Sequence, residues 1–168
     1  MLRKALSLLS LIYTMTLCAT LFAQVSNEWK IIHAGTLLSI ASEEAQIEQS
    51  IIVRNNLIIE VRGGYIQPGE VDGTANARVI DLKDQFVMSG LIDSHTHILS
   101  QQEANRREIR VTRSSELSAL MGVEYGMRTL RAGFTTIRNV GGDRNAIFAL
   151  RDAINQGIVM GPRIRASG

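Results

Sequence analysis

The sequence predicts an α/β protein in which a small N-terminal β domain precedes parallel βα units. Three observations carry this reading. From Trp29 to about Val87, short Ile- and Val-rich runs alternate with polar or glycine-containing turns. From Phe86 onwards the order becomes strand, helix, strand, helix, strand, which is the signature of parallel βα units. At the junction, the apolar run "FVMSGLID" (86–93) leads into "SHTH", so that an Asp and two histidines follow a strand.

Arg3 and Lys4 form a short basic head, and Ala5 to Ala23 follow without a charge. Serines and threonines interrupt the apolar run, which closes on a small residue in "ATLFAQ". Residues 1–23 therefore read as a secretory signal peptide cleaved near Ala23, making the protein exported, periplasmic or secreted. The run is also long enough to span a bilayer, so an uncleaved segment would be its one membrane contact. Cys18, the only cysteine, lies in "TMTLC", where bulky Leu17 spoils a lipoprotein box. Cleavage leaves a chain without cysteine and hence without disulfides.

The next region, 24–87, reads as a small antiparallel sheet or sandwich built from "WKIIHAGTLLSI", "QSIIVRNNLIIEV" and "ARVIDLKDQFVM". Within it, "RNN" (54–56) is a hairpin turn, because Asn tolerates the left-handed conformation. "GGYIQPGEVDGTANA" (63–77) is a long loop. His33 reads as a structural or surface histidine rather than a ligand, and Trp29 and Tyr65 read as packing residues.

Region 88–168 opens with "FVMSGLID" as a continuous strand buried on both faces. Ser115 can cap a helix through about Ala132, which Gly133 ends. "FTTIRNV" is the second strand, Asn145 caps the helix "AIFALRDAINQ" up to Gly157, and "PRIRAS" begins a third strand.

Charge narrows the function classes. Without Arg3 and Lys4, the 18 basic residues fall to 16, matching the 16 acidic ones. The cluster "NRREIRVTR" (105–113) has no interleaved aromatics, so it reads as a solvated loop and helix approach rather than a nucleic-acid site.

The chain has three histidines, and two of them, His95 and His97, lie two apart. On a strand that spacing sends both imidazoles to one side. They would stand at the C-terminal end of a parallel strand, where α/β enzymes place their chemistry. Imidazole suits Zn, Fe, Ni or Co, and a rigid segment carrying two ligands forms half a metal site. Asp93, one step back on the same face, could orient a histidine. On spacing alone, a pair of exposed loop histidines is the competing reading.

"SGLIDSHTH" resembles the first metal motif of the amidohydrolase superfamily, Pro-Gly-(apolar)-(apolar)-Asp-x-His-x-His. "AGFTTIRNVGG" (132–142) and "GPRIRASG" (161–168) resemble segments of its imidazolonepropionase-like branch, which includes dipeptidases that cleave before proline. Two positions depart from the pattern: Ser89 replaces the usual proline, and Asn139 stands where the branch usually has Asp after Arg. The resemblance implies a composite β domain beside a metal-dependent (β/α)8 barrel, with 88–168 covering barrel strand 1 to the start of strand 3. It implies His95 and His97 as metal ligands, Asp93 supporting them, and a divalent metal, zinc first, that activates water against an amide or dipeptide bond of a small molecule. A deaminase of the same superfamily is the alternative.

The family's later ligands and its base come from strands beyond the third, so no catalytic residue is expected within this chain. The chain alone is expected to be inactive. It would be part of a longer exported hydrolase, a non-catalytic remnant, or half of an enzyme completed by a partner. A complete protein of this kind could form homo-oligomers.

Overall fold

A computed structural model describes residues 27–102 and 104–167. The signal peptide reading and Cys18 lie outside the described residues. Among the described residues, no helix is long and apolar enough to cross a membrane. The chain divides into two compact units at Met88/Ser89, and each is described by itself.

The first unit is a four-stranded sheet in the order β3-β2-β1-β4, formed by β1 (Trp29–Leu38), β2 (Gln46–Arg54), β3 (Leu57–Gly63) and β4 (Arg78–Met88). The expected hairpin is present. Asn55 takes a φ of 56°, and its side-chain Oδ1 accepts the Glu28 amide at 3.0 Å. The sheet is mixed rather than antiparallel, however, because β4 runs parallel to β1. The 14 or so residues of loop between β3 and β4 give the chain room to cross over before pairing.

β1 and β2 are central and bury residues on both faces. Ala34, Leu37 and Ile51 pack together, with Ile32, Val53 and Val87 against them. On the other face, Ile31 pairs with Ile52 and His33 with Ser50. The loop after β3 covers polar groups there: Ser50 Oγ donates to Gly64 O at 2.7 Å and accepts from Ile66 N at 2.9 Å. His33, 2% exposed, places Nε2 at 2.8 Å from Ile66 O and its ring against Tyr65. It is a buried structural histidine.

The second unit is a parallel sheet in the order β5-β6-β7, with β5 (Leu91–Thr96), β6 (Phe134–Asn139) and β7 (Arg163–Ala166). Helices α1 (Arg106–Thr112) and α2 (Ser115–Arg131) lie between β5 and β6, and α3 (Arg144–Asn155) lies between β6 and β7. The core joins Ile137 and Ile164 of the sheet to Tyr125 of α2, to Ala146, Ile147 and Leu150 of α3, and to Ile98 and Leu99.

Several expectations are corrected in this unit. "FVMSGLID" is not one strand: β4 ends at Met88, and Ser89 and Gly90 precede β5. Nor is β5 buried on both faces. It is an edge strand of this sheet, and Ile92 is 70% exposed. Within the cluster 105–113, seven residues form helix α1. The caps move by one or two residues as well. Ser114, not Ser115, caps α2 by accepting from Leu117 N at 3.3 Å. Asp143, not Asn145, caps α3 by accepting from Ala146 N at 2.9 Å. A side chain at the N-cap reaches the amide of N2 or N3, and in both places an earlier neighbour has that reach.

Candidate metal centre

The histidine pair sits at the C-terminal end of β5. His95 is within the strand, and His97 follows its last residue, Thr96. Parallel pairing puts this end beside the C-terminal end of β6. Val140 N donates to Thr96 O at 3.0 Å, and Thr96 Oγ1 donates to Arg138 O at 3.2 Å. The next turn is closed by Ser100 N donating to His97 O at 3.1 Å.

The two imidazoles face each other edge to face, with ring centres 5.8 Å apart and planes at 67°. Two imidazoles sharing one zinc ion, at about 2.1 Å from each nitrogen, hold their ring centres on the order of 5–6 Å apart. The pair therefore has the spacing an ion needs.

His97 Nδ1 lies 3.1 Å from Gly141 O. A carbonyl oxygen only accepts, so this contact puts the proton on Nδ1 and leaves the Nε2 lone pair available. A metal-ligating histidine is commonly anchored in this way. Among the described residues, the His95 ring makes a ring contact with His97 and no hydrogen bond.

Asp93 is turned to the main chain. Its Oδ1 accepts the His95 amide at 2.9 Å, which fixes the backbone that carries the imidazole rather than the ring itself. His97 also lines a cavity of ≈330 Å³, together with Gln101, Arg113, Ser118, Gly141 and Asp143. A second cavity of ≈390 Å³ brings His97 together with Asp93, Thr96, Tyr125 and Phe134.

Among the described residues, no group of three or more His, Cys, Asp or Glu side chains is arranged to hold an ion. The pair thus fits a divalent metal in residue type and ring spacing, and His97 also in tautomer, but it supplies two ligands, fewer than the four of a tetrahedral zinc.

Two contributors were not legible as such. The Gly141 carbonyl is a main-chain group, and its only sequence signal is the pair Gly141–Gly142, which takes φ values of 152° and 145°. Asn139 stood out as a departure from a family pattern, but its hydrogen bonds could not be read from that.

A parallel βα sheet with a His-x-His pair at the C-terminal end of its first strand is the layout of an α/β protein with a candidate metal site. Comparison narrows the class. The model of the amidohydrolase family matches residues 86–168. A solved Xaa-Pro dipeptidase, crystallised with methionine in its active site, aligns at 33% identity and a TM-score of 0.73, over 84% of this chain and 33% of that one. A prolidase complexed with N-methylphosphonate-L-proline aligns at 27% identity and a TM-score of 0.68, over 83% and 32%. Among curated proteins, a 5-methylthioadenosine/S-adenosylhomocysteine deaminase of Bacillus cereus is 36% identical over 67 residues, 39% of this chain and 14% of that protein. The chain belongs to the amidohydrolase superfamily. It spans about a third of the solved relatives' length and about a seventh of the curated one's.

Proposed function

We propose that this chain supplies the first metal ligands, His95 and His97, of an exported amidohydrolase that cleaves amide or peptide bonds of small substrates. The observation that carries the reading is the anchored pair: ring centres 5.8 Å apart, with His97 Nδ1 held by Gly141 O so that Nε2 is free to coordinate. A divalent metal, zinc by preference, would polarise the scissile carbonyl and lower the pKa of bound water. The chain's own residues hold and orient. Asp93 fixes the His95 main chain, Gly141 fixes the His97 ring, and Asp143 and Ser118 flank the cavity beside it.

Dipeptide substrates are favoured by the alignment to an Xaa-Pro dipeptidase along 84% of this chain. The second reading, deamination, is favoured by the 36% identity to the Bacillus cereus deaminase over 67 residues. Because the described residues supply two imidazoles, this chain by itself is not expected to turn over substrate. Export rests on residues 1–23 as a cleaved signal.

The test is zinc titration of the full chain by calorimetry, alongside His95→Ala and His97→Ala. The expected result is one weak zinc site that either substitution abolishes. Binding that survives both substitutions would overturn the reading. The intact mass of the native protein in the exported fraction, followed by assays with dipeptides and adenosine derivatives, would separate the substrate readings.

A further inference from the structure

The Asn139 side chain is 0% exposed and stands at the C-terminal end of β6, across from the histidine pair. Both ends of its amide are engaged. Oδ1 accepts the Ile98 amide at 2.8 Å, and Nδ2 donates to Gly141 O at 3.0 Å. Its main-chain carbonyl accepts from Ser167 N at 3.0 Å, so the backbone that carries the side chain is tied to the chain just past β7.

Gly141 O is the oxygen that also receives His97 Nδ1, at 3.1 Å. It has two lone pairs and therefore two donors, the Asn139 amide and the His97 ring. Ile98 is the residue immediately after His97. One buried amide thus fixes both the main chain leaving the histidine and the carbonyl that selects its tautomer.

We infer that Asn139 is a positioning residue for His97, clamping Ile98 N and Gly141 O so that the imidazole is held with its proton on Nδ1 and its Nε2 lone pair free. The clamp needs an acceptor and a donor at the two ends of one short planar group. A leucine of similar volume offers neither, so Ile98 N and Gly141 O would both lose the side-chain partner that Asn139 supplies. The Gly141 carbonyl would then be free to turn, and His97 would lose its fixed partner. The value of this for metal binding rests on the reading of His97 as a ligand, but the tautomer itself does not.

The experiment is long-range proton–nitrogen correlation NMR of the histidine rings in the metal-free, full-length chain, at about pH 8.5, well above imidazole's ordinary pKa of ~6.5. His33 is an internal reference, because its Nε2 faces the Ile66 carbonyl and so carries the proton. The expected spectrum shows His33 as the Nε2–H tautomer and His97 as the Nδ1–H tautomer, with the Asn139 side-chain amide protected from exchange. In Asn139→Leu, with helix content retained, His97 should move toward Nε2–H while His33 stays unchanged, and zinc affinity should fall about 10–100-fold.

A wild-type His97 already in the Nε2–H form, or a rapidly exchanging Asn139 amide, would overturn the inference without any variant. So would a folded Asn139→Leu chain that keeps His97 wholly as Nδ1–H. A clamp that behaves as expected in a chain that binds no zinc would support the positioning role and overturn the metal reading.

Discussion

Replacing Asp143 by alanine tests how the loop beside the histidine pair is held. Asp143 makes two kinds of contact. Its Oδ1 accepts Ala146 N at 2.9 Å, capping α3, and its Oδ2 accepts the Ser115 hydroxyl at 2.6 Å, joining the start of α3 to the start of α2. Loss of an N-cap costs about 1 kcal/mol. The Ser115 bond is made to a charged group but is exposed, so roughly 0.5–1 kcal/mol is appropriate. Asp143→Ala should therefore destabilise by roughly 1.5–2 kcal/mol, a substantial part of a domain's ~5–15 kcal/mol. Ser115→Ala should cost only the smaller share, and the double variant should show a coupling of about 0.5–1 kcal/mol.

The assay is urea unfolding followed by far-ultraviolet circular dichroism, which reports the helices. An acid series adds a second arm. The Ser115 hydroxyl, and after it the Ala146 amide, hold the Asp143 carboxyl below its usual range. The folded state thus binds this proton more weakly than the unfolded chain does. The stabilisation is complete above the unfolded pKa of about 3.9 and is lost as pH falls through the lower folded value. Asp143→Ala should lack that portion of the acid sensitivity. A variant within about 0.3 kcal/mol of wild type at neutral pH, or no coupling in the cycle, would refute the two-helix clasp.

Other outcomes follow from the same coordinates. Gly35→Ala should be severely destabilising, because its Cβ would fall 1.8 Å from Lys83 O, where the β1–β4 register shifts. Gly63→Ala, whose nearest neighbour would be Gln49 Nε2 at 3.9 Å, should be tolerated. Fluorescence of Trp29, the single tryptophan, reports both because it lies in β1, and equal melting points would refute the steric argument. Ile137→Ala should cost about 2–5 kcal/mol, since that side chain is 0% exposed at the centre of the second unit's core. Circular dichroism melts would show a shift too small to resolve if Ile137 were peripheral.

The sequence was informative wherever the cause was local. The turn at Asn55 follows from the tolerance of asparagine for positive φ, and the ends of α2 and α3 follow from Gly133 and Gly157, at φ of 94° and 71°. The βα rhythm gave the second unit's element order, and the His-x-His spacing singled out one strand end. Caps were less legible, because "RSSE" and "GGDRN" each hold neighbouring residues able to cap. Which of them reaches the free amides depends on where the chain turns.

What the sequence determined by itself, then, was the division into a β-rich and a βα-patterned region, the superfamily resemblance, and the candidate ligands His95 and His97. These rest on periodicity, residue chemistry and short spacings, all of which act within a few positions of the chain. Only the tertiary structure decided that β4 pairs in parallel with β1, that β5 is an edge strand beginning after Gly90, and that Asp93 serves the main chain. It also decided that the His97 tautomer is set from β6 and the turn after it, through Asn139 and the carbonyl of Gly141. Those partners lie more than 40 positions from His97 and meet it only because two parallel strands end side by side. A hydrogen bond to a main-chain oxygen leaves no residue-type signature at its acceptor, so no pattern in the sequence could announce it.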